Sequence, residues 1–439
     1  MQPPLPLPPP PPQRRSSGSP MDGLTDSHLN TVPTTKTNEE GNSEIHVPKK
    51  RVKVKNGRSH SYYLRSSKRF ESNINSLPDD IVFDILVKIP AQDIYSAVRP
   101  VCRKWNQITR TNKFVNTHLH HSTYGLLLQK QVSQSTELTF VSLSRQGQIE
   151  LSRLDYEPDE EIWCSSCNGL ILESEPSKDA VLFISNPVTM QSFPLPPFVF
   201  PVPDMCFCYS ALAYASLSMV YKVVQVYRTE NQWACSILTV GVDKSWRPVC
   251  TQHISVKANE NLRFRPLTTE GFVHWAKSGI YVLTLNVETE IITEYLVPCS
   301  GDRRFFFSRH LVPSFEDRFY YFPTARYLSL LIANAGHQNC SWDIWEMKPE
   351  TGEWTQLPGI DLKGLSSECD TDYKLSHAYI GELFPVGWLE YKEVLLYRVP
   401  MGICVAWNIR LKEFEFFEID FDLEGYFVHR NSLLWLDGC

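Results

Sequence analysis

From Ser76 onward the chain places apolar residues at helical spacing. Ile81, Ile85 and Ile89 recur every fourth residue with Val82 and Leu86 beside them, Pro78 suits a first helical turn, and Asp79 and Asp80 sit where the helix dipole favours negative charge. This predicts one amphipathic helix ended by Pro90. A second runs through Ile94, Ala97 and Val98 until Pro100 stops it, and a third carries Val101, Trp105 and Ile108 at i, i+4 and i+7. Three helices of this size bury a small core that would gain from a partner.

From Thr123 the period changes. Short runs rich in Val, Ile, Leu, Phe, Tyr and Trp, separated by turn formers, continue to the C-terminus as a strand texture. Val181-Leu182-Phe183-Ile184-Ser185-Asn186-Pro187-Val188-Thr189, closed by Phe193-Pro194-Leu195-Pro196, reads as strand, turn, strand. Similar units surround Asn286-Val287-Glu288-Thr289 and Pro349-Glu350-Thr351-Gly352, and weaker ones surround Ser245 and Leu411. The turn positions Thr189, Ser245, Thr289, Thr351 and Leu411 are separated by 56, 44, 62 and 60 residues. That irregular period is near the roughly 40–50 residues of a four-stranded propeller blade with insertions. Such hairpins cannot bury their own apolar faces, so stacking around an axis is the natural solution, with a pair of β-sandwiches as the alternative.

The N-terminal arm differs in composition. Pro3, Pro4, Pro6 and the run 8–12 allow only extended polyproline-type backbone, and the next forty or so residues offer few anchors for a core, so residues 1–70 are expected to be a disordered Pro-rich and basic arm. They hold 12 Lys and Arg against 5 Asp and Glu, a net +7, and leave the other 369 residues at −13 within an overall −6. Lys49, Lys50, Arg51, Lys53 and Lys55 form a basic cluster of the kind read as a nuclear-localisation signal, with a solvated tail as the alternative, and the expected location is nucleus and/or cytoplasm. The acidic remainder gives neither a nucleic-acid backbone nor an anionic membrane a general attraction. No uninterrupted apolar run approaches the roughly 20 residues of a membrane helix, and no secretory signal is read at the N-terminus. The chain is therefore expected to be soluble, with its 12 cysteines as reduced thiols.

The order Leu77-Pro78-Asp79-Asp80-Ile81, Ile85-Leu86, Ile89-Pro90, Ile94 and Val101-Cys102-Arg103-Lys104-Trp105 resembles the F-box motif. Downstream, Cys167-Asn168-Gly169-Leu170-Ile171, Asn186-Pro187-Val188-Thr189 and Leu195-Pro196-Pro197 resemble the F-box-associated, kelch-like propeller of the large plant F-box family. The resemblance implies a three-helix F-box over 71–118 and an all-β propeller-like domain over 123–437. It further implies a non-catalytic substrate receptor of a Skp–cullin–F-box ubiquitin ligase, without cofactor, in which the F-box docks the Skp adaptor and through it the cullin and RING subunits. The docking residues it implies are Leu77, Pro78, Ile81, Ile85, Leu86, Ile89, Pro90 and Ile94, while some apolar residues, Val101 and Trp105 foremost, are expected to form the internal core. The chain departs from the family at Tyr95-Ser96-Ala97-Val98-Arg99-Pro100, where the proline is expected to shorten the second helix. A Skp-independent nuclear scaffold is the alternative, and a propeller enzyme or glycan binder a further one.

Other chemistry finds little support. Cys164 with Cys167 and Cys206 with Cys208 are separated by nearly forty residues, unlike zinc knuckles. His118, His120 and His121 are expected in a polar linker, and the acidic run at 159–161 on a charged loop. No nucleophile elbow, phosphate loop or HExxH helix is present. Trp233, Trp246, Trp275, Trp342, Trp345, Trp354, Trp388 and Trp407 are expected mostly in the core. Arg303, Arg304, Phe305 and Phe306 interrupt the repeat with residue types enriched at interfaces, which makes them candidate protein-substrate contacts, and the Pro-rich stretch 194–203 is a second candidate.

Overall fold

A computed structural model describes residues 77–132, 135–144, 146–156, 165–174, 181–201, 209–277, 280–298, 317–336, 339–361, 383–399, 403–418 and 423–434. The basic cluster at 49–55, the recognition candidates Arg303 to Phe306, Cys164, Cys206 and Cys208 lie outside the described residues.

Helices come first. α1 (Asp79–Leu86) follows Pro78, and α2 (Ala91–Asp93) follows Pro90, each proline opening a first turn that needs no intrahelical donor. α2 runs on as one π-helical turn (Ile94–Val98), closed by the Arg99 N–H donating to the Ile94 carbonyl at 3.0 Å. The helix ends at Val98, directly before Arg99-Pro100, as the proline predicts, and its last turn is widened to π-helical geometry. α3 (Arg103–Thr109) is followed by a fourth helix, α4 (Asn112–His121), whose Thr111 side chain caps the Phe114 N–H. The histidines expected in a linker lie in its last turn. His118 is buried and donates from Nε2 to the Ile89 carbonyl at 2.8 Å, and burial lowers its affinity for a proton more than that bond raises it.

Six four-stranded antiparallel sheets follow as the blades of a β-propeller. Blade 1 joins β24 (Leu423–His429) to β1 (Gly125–Val132), β2 (Ser135–Leu143) and β3 (Ile149–Arg153), so the two ends of the domain close the ring in one sheet. Blade 2 comprises β4 (Ser166–Cys167), β5 (Leu170–Ser174), β6 (Leu182–Asn186) and β7 (Gln191–Pro194). Blade 3 holds β8 (Ser210–Ala215), β9 (Val220–Arg228), β10 (Trp233–Thr239) and β11 (Arg247–Pro248). Between β11 and blade 4 sit α5 (Val256–Asn259) and a 3-10 turn (Glu260–Arg263). Blade 4 is β12 (Leu267–Thr269), β13 (Phe272–Trp275), β14 (Tyr281–Asn286) and β15 (Ile291–Leu296). Blade 5 is β16 (Asp317–Pro323), β17 (Leu328–Gly336), β18 (Asn339–Met347) and β19 (Trp354–Asp361). Blade 6 is β20 (Phe384–Glu390), β21 (Val394–Val399), β22 (Ile403–Asn408) and β23 (Glu413–Glu418). The innermost strands β4, β8, β12, β16, β20 and β24 each neighbour the next and close back on β4, which rules out the paired sandwiches.

Period-2 alternation explains the core. Successive strand residues point to opposite faces of a blade, and both faces are covered, so the strands read as nearly continuous apolar runs. Val224 packs at the seam of blades 3 and 4 while its neighbour Val223 packs at the seam of blades 2 and 3. Leu395 and Tyr397 lie between blades 5 and 6, with Leu396 between blades 6 and 1. Six apolar clusters fill the six seams of the ring.

The repeat visible in sequence is the hairpin from third to fourth strand. Thr189, Ser245, Thr289, Thr351 and Leu411 all fall in that connection, in blades 2 to 6. In blades 2, 4 and 6 an asparagine ends the third strand, and its Oδ1 accepts from the N–H groups two and three residues on: Asn186, Asn286 and Asn408. One residue after the second donor the backbone is left-handed, at Met190, Glu290 and Lys412, with φ of 55°, 59° and 55°. Gly352, at φ 70°, holds the corresponding place in blade 5, where a side chain is disfavoured.

Candidate functional site: the helical module and the propeller faces

The helical module buries Val82, Leu86, Val87, Ala91, Ile94, Val98, Phe114 and Val115 around one centre, with Leu77, Ile89, Trp105 and Ile108 half-buried at its margin. Two of the eight expected docking residues, Leu86 and Ile94, thus belong to the core, at 1% and 0% exposure. Pro78, Ile81, Ile85 and Pro90 are exposed, Ile81 at 44% and Ile85 at 49%. Val101, expected inside, is 58% exposed, because α3 begins only at Arg103 and leaves it in the preceding turn. The module therefore carries exposed apolar side chains on α1 and at the α2–α3 turn that its own fold does not use. Ion pairing holds the start of α1 against α3: Lys104 Nζ lies 2.5 Å from Asp79 Oδ1 and donates to the Leu77 carbonyl at 3.1 Å.

This module packs on the propeller face that carries the tight turns. Val188, from the β6–β7 turn, enters the helical core, and the Tyr95 hydroxyl donates to the Thr189 carbonyl at 3.0 Å. Innermost strands run toward that face and fourth strands run away from it. The connections from each blade to the next therefore start and end on the opposite face, among them the one flanked by Pro298 and Asp317 that contains Arg303 to Phe306. Part of the Pro-rich stretch lies there too. Its Phe198 is buried against Phe200, Tyr227 and Trp246, and the Trp246 Nε1 donates to the Pro196 carbonyl at 2.9 Å, while Val199, at 84% exposure, faces solvent together with Pro194, Pro197 and Pro201.

The other chemical candidates resolve into packing. Trp275, Trp342, Trp388 and Trp407 are buried, Trp233, Trp345 and Trp354 are half-buried at strand positions, and Trp246 is half-buried just before β11. Cys167 packs against the seam of blades 2 and 3, and desolvation pushes its thiol up to about 12, leaving it protonated at neutral pH. Among the described residues no three His, Cys, Asp or Glu side chains converge as a metal site, and no helix is long and apolar enough to cross a membrane.

Two protein-family models match the chain. Residues 74–120 match an F-box-like domain, and residues 126–290 match an F-box associated beta propeller domain. An F-box protein of Arabidopsis thaliana is 28% identical over 205 residues, which is 44% of this chain and 51% of that one, so the chain spans about half the length of the curated relative it matches. Among solved structures, an oligogalacturonate lyase in complex with manganese aligns at 10% identity over 66% of this chain and 77% of its own, with a TM-score of 0.35. Apo AztD from Citrobacter koseri aligns at 8% identity over 71% and 99%, with a TM-score of 0.36. Likeness at that level says nothing about activity.

Proposed function

Because the chain carries an F-box-like domain followed by an F-box-associated β-propeller, we propose that it is the substrate-recognition subunit of a Skp–cullin–F-box ubiquitin ligase. The observation that carries this reading is the set of exposed apolar side chains, Ile81, Ile85 and Val101, on the matched helical module. An apolar face left open on a small helical unit is what a partner's helices cover. The proposed partner is a Skp-family adaptor, which links the chain to cullin and RING subunits. The propeller face opposite the F-box takes the protein target, with Arg303, Arg304, Phe305 and Phe306 as proposed contacts. The receptor performs no chemistry itself: it raises the effective concentration of target lysines near the charged ubiquitin carrier.

Co-purification tests this directly. The wild-type chain is expected to capture Skp adaptor and cullin, and a folded Leu77→Ala/Pro78→Ala variant to lose most of that capture. A folded wild type that binds none of the adaptors tested would sink the reading and favour a Skp-independent scaffold. Nuclear entry through the basic cluster is a separate proposal. Replacing Lys49, Lys50, Arg51, Lys53 and Lys55 by Ala is expected to shift a fluorescently tagged chain toward the cytoplasm; an unchanged distribution refutes it.

A further inference from the structure

We propose that residues 429–434 form a latch, with Arg430 as its positioning residue, that holds the F-box in one orientation on the propeller. The consequence for function, a target presented at a set place relative to the adaptor, rests on the receptor reading above; the latch itself does not. After β24 the chain does not leave the protein. Arg430, Ser432 and Leu433 are buried, the last two at 0% exposure. Arg430 Nη1 donates to the Leu119 carbonyl in the last turn of α4 at 3.3 Å, and Nη2 donates to Asn168 Oδ1 in the β4–β5 turn of blade 2 at 2.5 Å. The guanidinium carbon lies 4.7 Å from the centre of the Tyr124 ring, in the three-residue link between α4 and β1. One side chain thus joins the F-box, the link and a blade, which needs the planar fork of an arginine rather than the single point of an ammonium.

The surroundings are shaped to admit this segment. Gly169 has φ +83°, and a Cβ there would stand 2.3 Å from Ser432 Oγ and 2.6 Å from the Arg430 carbonyl oxygen. Glycine is required twice over, for the backbone conformation and for the close approach. Asn186 Nδ2 donates to the carbonyls of Ser432 and Leu434 at 3.2 and 2.9 Å. Leu433 enters the helical core, and Leu434 packs against both that core and the seam of blades 2 and 3. With Val188 and the Tyr95–Thr189 bond, contacts from both ends of the propeller sequence meet the F-box.

Amide hydrogen exchange on the full chain tests the latch, comparing wild type with Arg430→Met, Arg430→Lys and Tyr95→Phe. Arg430→Met is expected to speed exchange about tenfold or more in residues 119–124 and 430–434, by the loss of charge-assisted bonds, while α1, β14 and β17 keep their wild-type rates. Arg430→Lys is expected to recover little of this, and Tyr95→Phe to give a smaller rise confined to residues 95–99 and 188–190. Unchanged exchange at the junction, or a rise spread evenly through helices and blades, overturns the proposal. Adaptor capture is scored on the same samples: a wild type that captures no adaptor removes the receptor reading, and the exchange pattern still decides the latch.

Discussion

Replacing Ile81 by Asp and Ile85 by Lys is expected to abolish adaptor capture while leaving the stability of the chain within about 0.5 kcal/mol of wild type. Both side chains are nearly half exposed, and each substitution suits its end of α1: an anion in the first turn and a cation in the last. If the pair are centres of a helix-packed interface, each contributes about 2 kcal/mol or more, and losing both weakens binding by roughly a thousandfold. Leu86→Ala should behave in the opposite way. Leu86 is 1% exposed within the helical core, and truncation there costs about 2–5 kcal/mol, so adaptor capture falls because the module unfolds. Thermal unfolding followed by circular dichroism, beside quantitative adaptor binding, separates the two. A stable Ile81→Asp/Ile85→Lys variant that binds adaptor like wild type would show that the exposed face of α1 is not the docking surface.

The contrast between Leu86 and Ile81 marks where sequence reading ends. Both are apolar residues at helical spacing, and periodicity placed them on one helix correctly. Which of them faces the core depends on the fourth helix, whose Phe114 and Val115 complete the centre, and the polar run of histidines hid that helix. The propeller was legible because its third-to-fourth-strand turns are rich in turn formers, and in blades 2, 4 and 6 an asparagine bonds the backbone ahead of it, a local device that leaves a trace in the sequence. Blade 1 left no such trace. Its turn is organised by Ser144, whose Oγ accepts from the N–H groups of Gln146 and Gln148, and its first strand is supplied from the far end of the chain. The Cys-Asn-Gly-Leu unit stands out in the sequence by its family resemblance alone, whereas its physical requirement, room at Gly169 for Ser432, joins residues 263 positions apart and exists only in the fold.

Glu290→Gln is expected to destabilise the propeller by about 2–3 kcal/mol, and Lys222→Met to restore most of that loss when added to it. Glu290 lies in the β14–β15 turn of blade 4 and reaches across to blade 3, where its carboxylate accepts from Lys222 Nζ at 2.8 Å and from Arg247 Nη1 and Nη2 at 2.6 and 2.8 Å. Lys222 is only 7% exposed, and its other bond is to the Val287 carbonyl at 2.7 Å, so loss of the carboxylate strands a buried ammonium. The cost should stay below the roughly 3–5 kcal/mol of a fully buried pair, since the Arg247 side chain is 42% exposed and water screens it. A double variant no more stable than Glu290→Gln would show that the stranded ammonium is not the source of the loss. Acid titration gives an independent check. Bonds from Arg247 foremost hold the Glu290 carboxyl down at about 2 against an ordinary 4.5, so its contribution is complete above pH 4.5 and is lost as pH falls toward 2. Burial holds His274 at about 3 and His429 at about 4 against an ordinary 6.5, so their contribution is complete above pH 6.5 and declines below it. Wild-type stability should therefore fall from pH 6.5 downward and more steeply below 4.5. In Glu290→Gln the first decline should persist, and the added steepness below 4.5 should be reduced.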